Sequence, residues 1–487
     1  AVLKQGYEIF RNWILEYTGL DIDCYITIQS IASRFKLKTG CYDGVAQLSG
    51  VVQQYIANCV VGGRCMTNSN KRWHVKKKIA DFDACSLYPS AMNRMLGYLK
   101  GTPKVLQQNM LNYDFLKKQD GYFIRVKILK VSKNLQFPLL SKINEKTGVR
   151  DFSNDMVGET VYIDKTCLED IITFQKMEFE IIDGYYFDEG RNDTIKHVIK
   201  YLYDLRKKLK QEKNPAQIVI KLLMNSMYGK TILKPIETDT RVVHEKKYNK
   251  YVSFNYNSIQ SAQKVGDKYY IKKIKPILDH FNYVQCGVEI LSMSKRIMNE
   301  VMVLAEELEI EIWYQDTDSM HMDYNKVELL GEAFKHKYNR ELIGEDLGQF
   351  HVDFEMDGAA DEIYSNEGYY IAKKTYFDNL ESKDEKGNVI NHEHTRLKAI
   401  PESCIDYTIN KENIDVKSLF QKLYNGEEIT FDLTEGGEKC TFKYDDDLSV
   451  RCYKKEVEKK KKGVVYTESE FCRRIAFDKN VECVQVN

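Results

Sequence analysis

The sequence carries no surplus of either charge: lysine plus arginine and aspartate plus glutamate each number 72 in 487 residues. Bulk charge therefore points to no acidic partner, and only local basic faces could meet nucleic acid. No apolar run approaches 18 residues and no signal peptide is visible, so no membrane partner is expected. Prolines number only seven, against 43% hydrophobic and 30% charged residues, the balance of a globular chain. Twelve cysteines are scattered without a Cys-x-x-Cys pair, and Cys59/Cys65 is the closest spacing. That excludes a zinc ribbon and a secreted disulfide framework, and leaves reduced intracellular thiols as the expectation. A Walker-type glycine-rich loop and a His-Glu-x-x-His pair are also missing, which removes P-loop and zincin chemistry. The chain opens on Ala1 without an initiator methionine and reads as helical at once, so a piece of something longer is expected.

A chain of this length should hold two or more subdomains. Up to about residue 60 the apolar positions Ile9, Phe10, Trp13, Ile14 and Tyr17 fall at helical spacing, and Gly62-Gly63-Arg64 breaks the pattern. Val75–Asp83 reads as a strand, basic at its start and acidic at its end. Ser86–Ser90 turns the chain into a helix beginning behind Pro89. From 121 to 190 strands surround a short helix with Thr166 as its cap. Ile195, Val198, Ile199, Leu202, Leu205 and Leu209 stripe one helix, and Asn214-Pro215 starts a second that runs to about Tyr228. A polar, tyrosine-rich segment (237–270) and a long helix from Gly287 follow. Ile310–Tyr314 and Met320–Tyr324 alternate with a period of two on either side of a turn, and Gly368–Tyr376 reads as another strand. The run Lys459–Lys462 has the composition of a solvated face.

Three groups of residues carry chemistry. Asp316 and Asp318 stand at the turn of a hairpin, two apart, where side chains share a face. On those residues alone an ordinary acidic turn and a metal or catalytic site are equally good readings. Asp83 ends a separate strand, and carboxylates brought together from different strands suit hard divalent cations that also take phosphate oxygens. Lys221, Asn225 and Tyr228 at i, i+4 and i+7 predict one polar helix face, and Arg206 and Lys210 share a face of the preceding helix. Three cations beside an acid cluster suit a triphosphate, and the combination describes nucleotidyl transfer.

The same residues spell known motifs. Asp83-Ala84-Cys85-Ser86-Leu87-Tyr88-Pro89-Ser90 resembles motif A of the family B DNA polymerases, Lys221–Gly229 their motif B, and Tyr314–Ser319 their motif C. Lys374-Thr375-Tyr376 resembles their Lys-x-Tyr motif, and all four stand in family order. The chain looks closest to the protein-primed branch of phages, adenoviruses and virus-like transposons. Val60-Val61-Gly62-Gly63 resembles that branch's Tyr-x-Gly-Gly linker, with Val60 where the motif has tyrosine. Lys398-Ala399-Ile400 stands where the family has Lys-Gly-Ile.

The resemblance implies an α+β right-hand fold and a DNA-templated DNA polymerase replicating a viral or mobile-element genome, with protein priming as the branch's mode. It implies two Mg²⁺ ions, with Mn²⁺ as a substitute, held by Asp83 and Asp318 with Asp316 assisting. Arg206, Lys210 and Lys221 would hold the triphosphate. Asn225 and Tyr228 would line the nascent base pair, and Leu87 and Tyr88 would meet the nucleotide, Tyr88 as the steric gate under its sugar. Lys374, Tyr376, Thr317, Gly62 and Gly63 would contact DNA. The implied partners are template-primer DNA, dNTPs and a terminal priming protein, at an intracellular site and without a membrane.

The implied division is 1–66 as a linker after a missing exonuclease domain, 67–190 as palm with an insertion, and 191–230 as fingers. A second insertion (231–285), the palm with its catalytic hairpin (286–397) and the thumb (398–487) follow. The inserts would be terminal-protein and processivity elements, or ordinary elaborations of palm and fingers. Asp353-Phe354-Glu355 has an exonuclease-like spelling but follows motif C and reads as structural, so proofreading is not expected. Two other readings stay open: an RNA-synthesising or reverse-transcribing palm enzyme, against which Tyr88 argues, and an inactive homologue that only binds DNA or a partner.

Overall fold

The structure, a computed structural model, describes residues 2–144, 148–234, 236–276, 280–398, 400, 402–432, 442–444, 450–452, 472–475, 477 and 479–487. The chain forms two compact units that it enters alternately. One comprises Ala1–Gly62, Ser86–Lys133 and Asp155–Ile297, the other Gly63–Cys85, Asn134–Asn154 and Met298–Asn487.

The second unit is organised by a ten-stranded sheet. Its main path runs Cys65–Thr67, Ile312–Asp316, Ser319–Asp323, Ile79–Ala84, Tyr364–Ala372, Thr375–Lys383, Val389–Leu397. Phe350–Val352 also pairs with Ile79–Ala84. Arg72–Val75 pairs antiparallel with Tyr364–Ala372 and parallel with Cys483–Val486. The expected hairpin is present, but both of its faces are covered: Trp313, Tyr314, Gln315, Met320, His321 and Met322 are all buried. A period of two would have turned Gln315 and His321 to water; burial on both sides overrides it. Helices Glu402–Glu412 and Val416–Tyr424 share an apolar core with the strands, Leu419, Phe420 and Leu423 packing with Tyr369, Ile371 and Phe377. Asp415 caps the second of them, its carboxylate accepting from the Ser418 N–H at 2.6 Å.

Two strand expectations change. Val75–Asp83 is not one strand, because Lys76-Lys77-Lys78 connects Arg72–Val75 to Ile79–Ala84. Adjacent cations have no buried place in a ladder. Gly368–Tyr376 is likewise two strands, turning at Lys373-Lys374 with Lys374 at φ 53. Ala399 and Lys459–Lys462 lie outside the described residues.

The first unit combines helices with three small antiparallel sheets, one of them the short pair Tyr98–Leu99 and Arg191–Asn192. Val2–Thr18, Ile28–Lys38 and Gly50–Ala57 supply the expected N-terminal helices. Lys104–Val105, Met177–Phe187, Gly121–Val131 and Thr160–Asp164 form a four-stranded sheet beside helix Lys165–Gln175. Asp164, not Thr166, caps that helix by accepting from the Cys167 N–H at 3.1 Å. The helix starts one residue before Thr166, which therefore has helical backbone and cannot serve as the cap. Helix Thr194–Gln211 buries the expected apolar stripe except Leu205, which is half-buried, and packs on Ala216–Asn225, whose first free N–H is taken by the Asn214 side chain at 3.0 Å. The tyrosine-rich segment is regular, with Thr238–His244, Lys268–Ile274 and Ile259–Val265 forming a three-stranded sheet with helix Glu245–Asn255.

Candidate active site

In the second unit the acids meet where strand Ile79–Ala84 runs beside the hairpin turn. Ser319 pairs with both Asp316 and Asp83, so the turn sits at the level of Asp83. The turn is held from several sides. Thr317 adopts φ 62, and its N–H donates to the Arg64 carbonyl at 2.8 Å. The Asp318 N–H donates to the Asp316 carbonyl at 2.8 Å, and the Ala84 N–H to the Asp318 carbonyl at 2.9 Å. A Cβ on Gly63 would come within 2.6 Å of Thr317 Cγ2, so only glycine allows this approach. Arg64, itself buried, reaches Gln315 Oε1 at 2.5 Å and the carbonyls of Phe137 and Pro138 at 3.0 Å, fixing the strand that leads into the turn.

The electrostatics separate the three acids. Burial pushes the Asp83 carboxyl up to about 8, with the charge of Asp318 adding most after it and Asp81 and Asp353 contributing. Asp318 is raised by burial too, with Asp316 adding and Lys374 opposing. Asp316 has a different partner: Lys374 Nζ donates to both of its oxygens, at 2.8 and 2.7 Å. Asp83 and Asp318 are thus a like-charged, half-buried pair in need of positive charge, and Asp316 is already neutralised by the neighbouring turn. Among the described residues no three His, Cys, Asp or Glu side chains converge as a ready-made metal cage. A pair of raised carboxylates nevertheless fits a hard divalent cation that keeps waters and takes its other oxygens from phosphate.

Behind the acids lies a buried polar group. His321 is 1% exposed, with Nδ1 3.2 Å from Asp378 Oδ2 and from the Tyr370 hydroxyl, and Nε2 3.8 Å from Asp81 Oδ1. Tyr370 donates to Asp378 Oδ1 at 2.7 Å. Burial lowers the His321 pKa, but Asp378 and Asp81 outweigh it and the net shift is upward. The imidazolium thereby joins the hairpin to the strand of Asp83 and to Thr375–Lys383.

In the first unit the polar positions gather on three packed helices. Leu87–Arg94 packs on both Thr194–Gln211 and Ala216–Asn225. Leu87 is buried, and the Tyr88 and Tyr228 rings stack with centroids 4.1 Å apart. Lys221 and Asn225 are exposed. Tyr228 does not extend their helix face as its spacing predicts, since the helix ends at Asn225 and Tyr228 stands in the turn before Gly229–Ile232. Arg206 Nε is buried with no hydrogen-bond partner among the described residues, and Lys210 is exposed on the same helix. Gly62 ends the first segment of the first unit, in the irregular stretch before Cys65, and Tyr376 is buried in the second unit's core beside Tyr314.

The sequence reading missed the acids that act on Asp83 from its flanks. Asp81 lies two residues upstream on the same strand. Asp353 follows Phe350–Val352, its N–H donating to the Asp81 carbonyl at 2.9 Å. Its Asp-x-Glu spelling was the available signal. His351 pairs opposite Asp83, 3.0 Å from Asp353 and 3.2 Å from Cys85 Sγ, and is raised to about 10, chiefly by its bond to Asp353.

Residues 2–307 match the family described as DNA polymerase type B, organellar and viral. A probable DNA polymerase of Neurospora intermedia is 30% identical over 244 residues, 48% of this chain and 24% of that protein. A DNA polymerase of Kluyveromyces lactis is 24% identical over 361 residues, 71% of this chain and 33% of that one. The chain therefore spans a quarter to a third of the length of these relatives. Among solved structures, Phi29 DNA polymerase complexed with primer-template DNA superposes with TM-score 0.59 at 16% identity, covering 88% of this chain and 66% of that one. The ternary complex of that polymerase with incoming nucleotide gives 0.58 over the same shares. The expected α+β, right-hand fold is thus the fold observed.

Proposed function

Because the chain belongs to the organellar and viral type B DNA polymerases, we propose that it extends a DNA primer on a DNA template by nucleotidyl transfer. The observation that carries this is the Asp83–Asp318 pair, two partly buried carboxylates both raised by burial, Asp83 further by the charge of Asp318 and Asp318 by that of Asp316, at the hairpin turn. The primer 3′-oxygen attacks the α-phosphorus of a dNTP, the new P–O bond forms as the bond to pyrophosphate breaks, and the 3′-hydroxyl proton passes to solvent water. Two Mg²⁺ ions (or Mn²⁺), held by Asp83 and Asp318, would supply the charge that activates the hydroxyl and stabilises the leaving pyrophosphate.

The chain's own groups do the positioning. Lys374 holds Asp316 in an ion pair, so Asp316 assists by fixing the turn. Arg206, with its unpartnered Nε, takes triphosphate oxygens together with Lys210 and Lys221. Leu87 and Tyr88 meet the sugar and exclude a 2′-hydroxyl, and Asn225 and Tyr228 face the nascent pair. Thr317, Gly62 and Gly63 serve the DNA side, with Lys374 reaching the primer end and Tyr376 supporting it from the core. In domain terms, 1–66 is a residual N-terminal region and linker, 67–190 and 286–397 palm, 191–230 fingers, 231–285 a processivity insert and 398–487 thumb. The insert within 67–190 is the place for a terminal priming protein, and the setting is the replication of a viral or mobile-element genome inside a cell. Among the described residues no helix is long and apolar enough to cross a membrane.

Template-directed extension of a labelled primer tests the proposal. The expected result is incorporation of only the nucleotide complementary to the template; DNA binding without turnover in Mg²⁺ or Mn²⁺ would replace it with the inactive-homologue reading. Protein priming has its own assay: a dNMP linked to a protein hydroxyl is expected, and strict dependence on a nucleic-acid primer removes it.

A further inference from the structure

Lys36, in helix Ile28–Lys38, has no exposed surface, and no other lysine is buried among the described residues. A buried ammonium normally has a carboxylate beside it. Here the groups that bear on its charge are two thiols, Cys286 and Cys41, and burial pulls its pKa down to about 8. The Tyr42 ring, stacked on Tyr283, lies 5.0 Å from the nitrogen. Its hydrogen-bond acceptor is the main-chain carbonyl of Met227.

That carbonyl lies just past the end of helix Ala216–Asn225. The Ser226 N–H turns back to Leu222 at 3.1 Å and the Met227 N–H to Met224 at 3.2 Å, so the helical path is closing there. Carbonyls at a helix C-terminus are its negative end and favour a cation. The peptide that begins at the Met227 carbonyl ends at the Tyr228 nitrogen, so fixing one places the other. Tyr228 in turn stacks on Tyr88 at 4.1 Å. Lys36, Met227, Tyr228 and Tyr88 thus form one chain of contacts within the first unit. Leucine or methionine would fill an apolar site without the desolvation cost of a charge, so filling space does not account for a lysine here.

We propose that Lys36 is a positioning residue for sugar selection: by holding the Met227 carbonyl it fixes Tyr228, and through the stack it fixes Tyr88. This rests on the reading of Tyr88 as the gate beneath the nucleotide sugar, and the test separates the two claims. The readout is the ratio of kcat/KM for dCTP over CTP in primer extension by the full chain, with melting temperature measured alongside. Tyr88→Val is expected to lower the ratio. Lys36→Met, which keeps length and loses the donor, is expected to lower it roughly ten-fold, the scale of one buried hydrogen bond. The loss should come mainly through a higher kcat/KM for CTP, with the melting temperature held. In the Tyr88→Val background Lys36→Met should change the ratio no further. Lys36→Gln, whose shorter side chain falls short of the carbonyl, is read the same way should the methionine variant fail to fold. A folded Lys36 variant with the wild-type ratio overturns the proposal, as does an equal loss with and without Tyr88. An unchanged ratio in Tyr88→Val overturns the gate reading and this proposal with it.

Discussion

At the scale of single residues, charge decides which acid does what. Asp83 carries a raised carboxyl because its charge is costly where it sits. A group whose folded pKa exceeds its unfolded value contributes stability below the unfolded value and loses it as pH rises through the folded one. In chelator, the Asp83 contribution to stability is therefore expected to fall between pH 3.8 and about 8, and Asp83→Asn to melt higher than wild type at pH 8. Adding Mg²⁺ should raise the wild-type melting temperature and leave that of Asp83→Asn nearly unmoved. His321 follows the same sign. Its pKa is raised above 6.5, so its contribution is complete below that pH and declines above it as the imidazolium is lost. Removing one partner of a buried ionic group typically costs about 3–5 kcal/mol. Denaturant unfolding at pH 6 should show a loss of that order for His321→Leu, and a smaller one at pH 9.

At the scale of elements, turns and caps do the placing. Lys374 lies in the turn between two long strands and reaches across to Asp316. With Lys374 exposed and screened by solvent, the pair should add at most ~1 kcal/mol to stability. Lys374→Ala is accordingly expected to leave the melting curve almost unchanged and to slow single-turnover extension, because Asp316 is released. Asp415→Ala, by contrast, should cost about 1 kcal/mol in denaturant unfolding through the lost cap, with little effect on the rate. Elements of this kind were legible where the sequence carries its own local chemistry. The hairpin around Asp316, the Asn214-Pro215 corner and the stripe from Ile195 to Leu209 all announce themselves. The Lys373-Lys374 turn did not, since lysine at positive φ has no sequence signature. Nor did the end of the helix at Asn225, because motif spacing through Tyr228 continues a helical period that the backbone abandons.

At the scale of the whole molecule, the motif order made fold and family readable, while the supporting shell stayed hidden. The contacts of Arg64 with Gln315, of His321 with Asp378 and of Lys36 with Met227 join residues 191 to 251 positions apart, or strands whose pairing no local pattern encodes. Buried polar residues of this sort look like surface residues in a sequence. Only tertiary packing shows that Gln315 and His321 face inward.

The central claim is that Asp83 and Asp318 together carry nucleotidyl transfer. Single-turnover primer extension under Mg²⁺ by wild type, Asp83→Ala and Asp318→Ala, each shown to be folded, tests it most directly. The account predicts template-directed extension by wild type and a loss of at least about a hundred-fold in each variant; an undiminished rate in Asp318→Ala would contradict it.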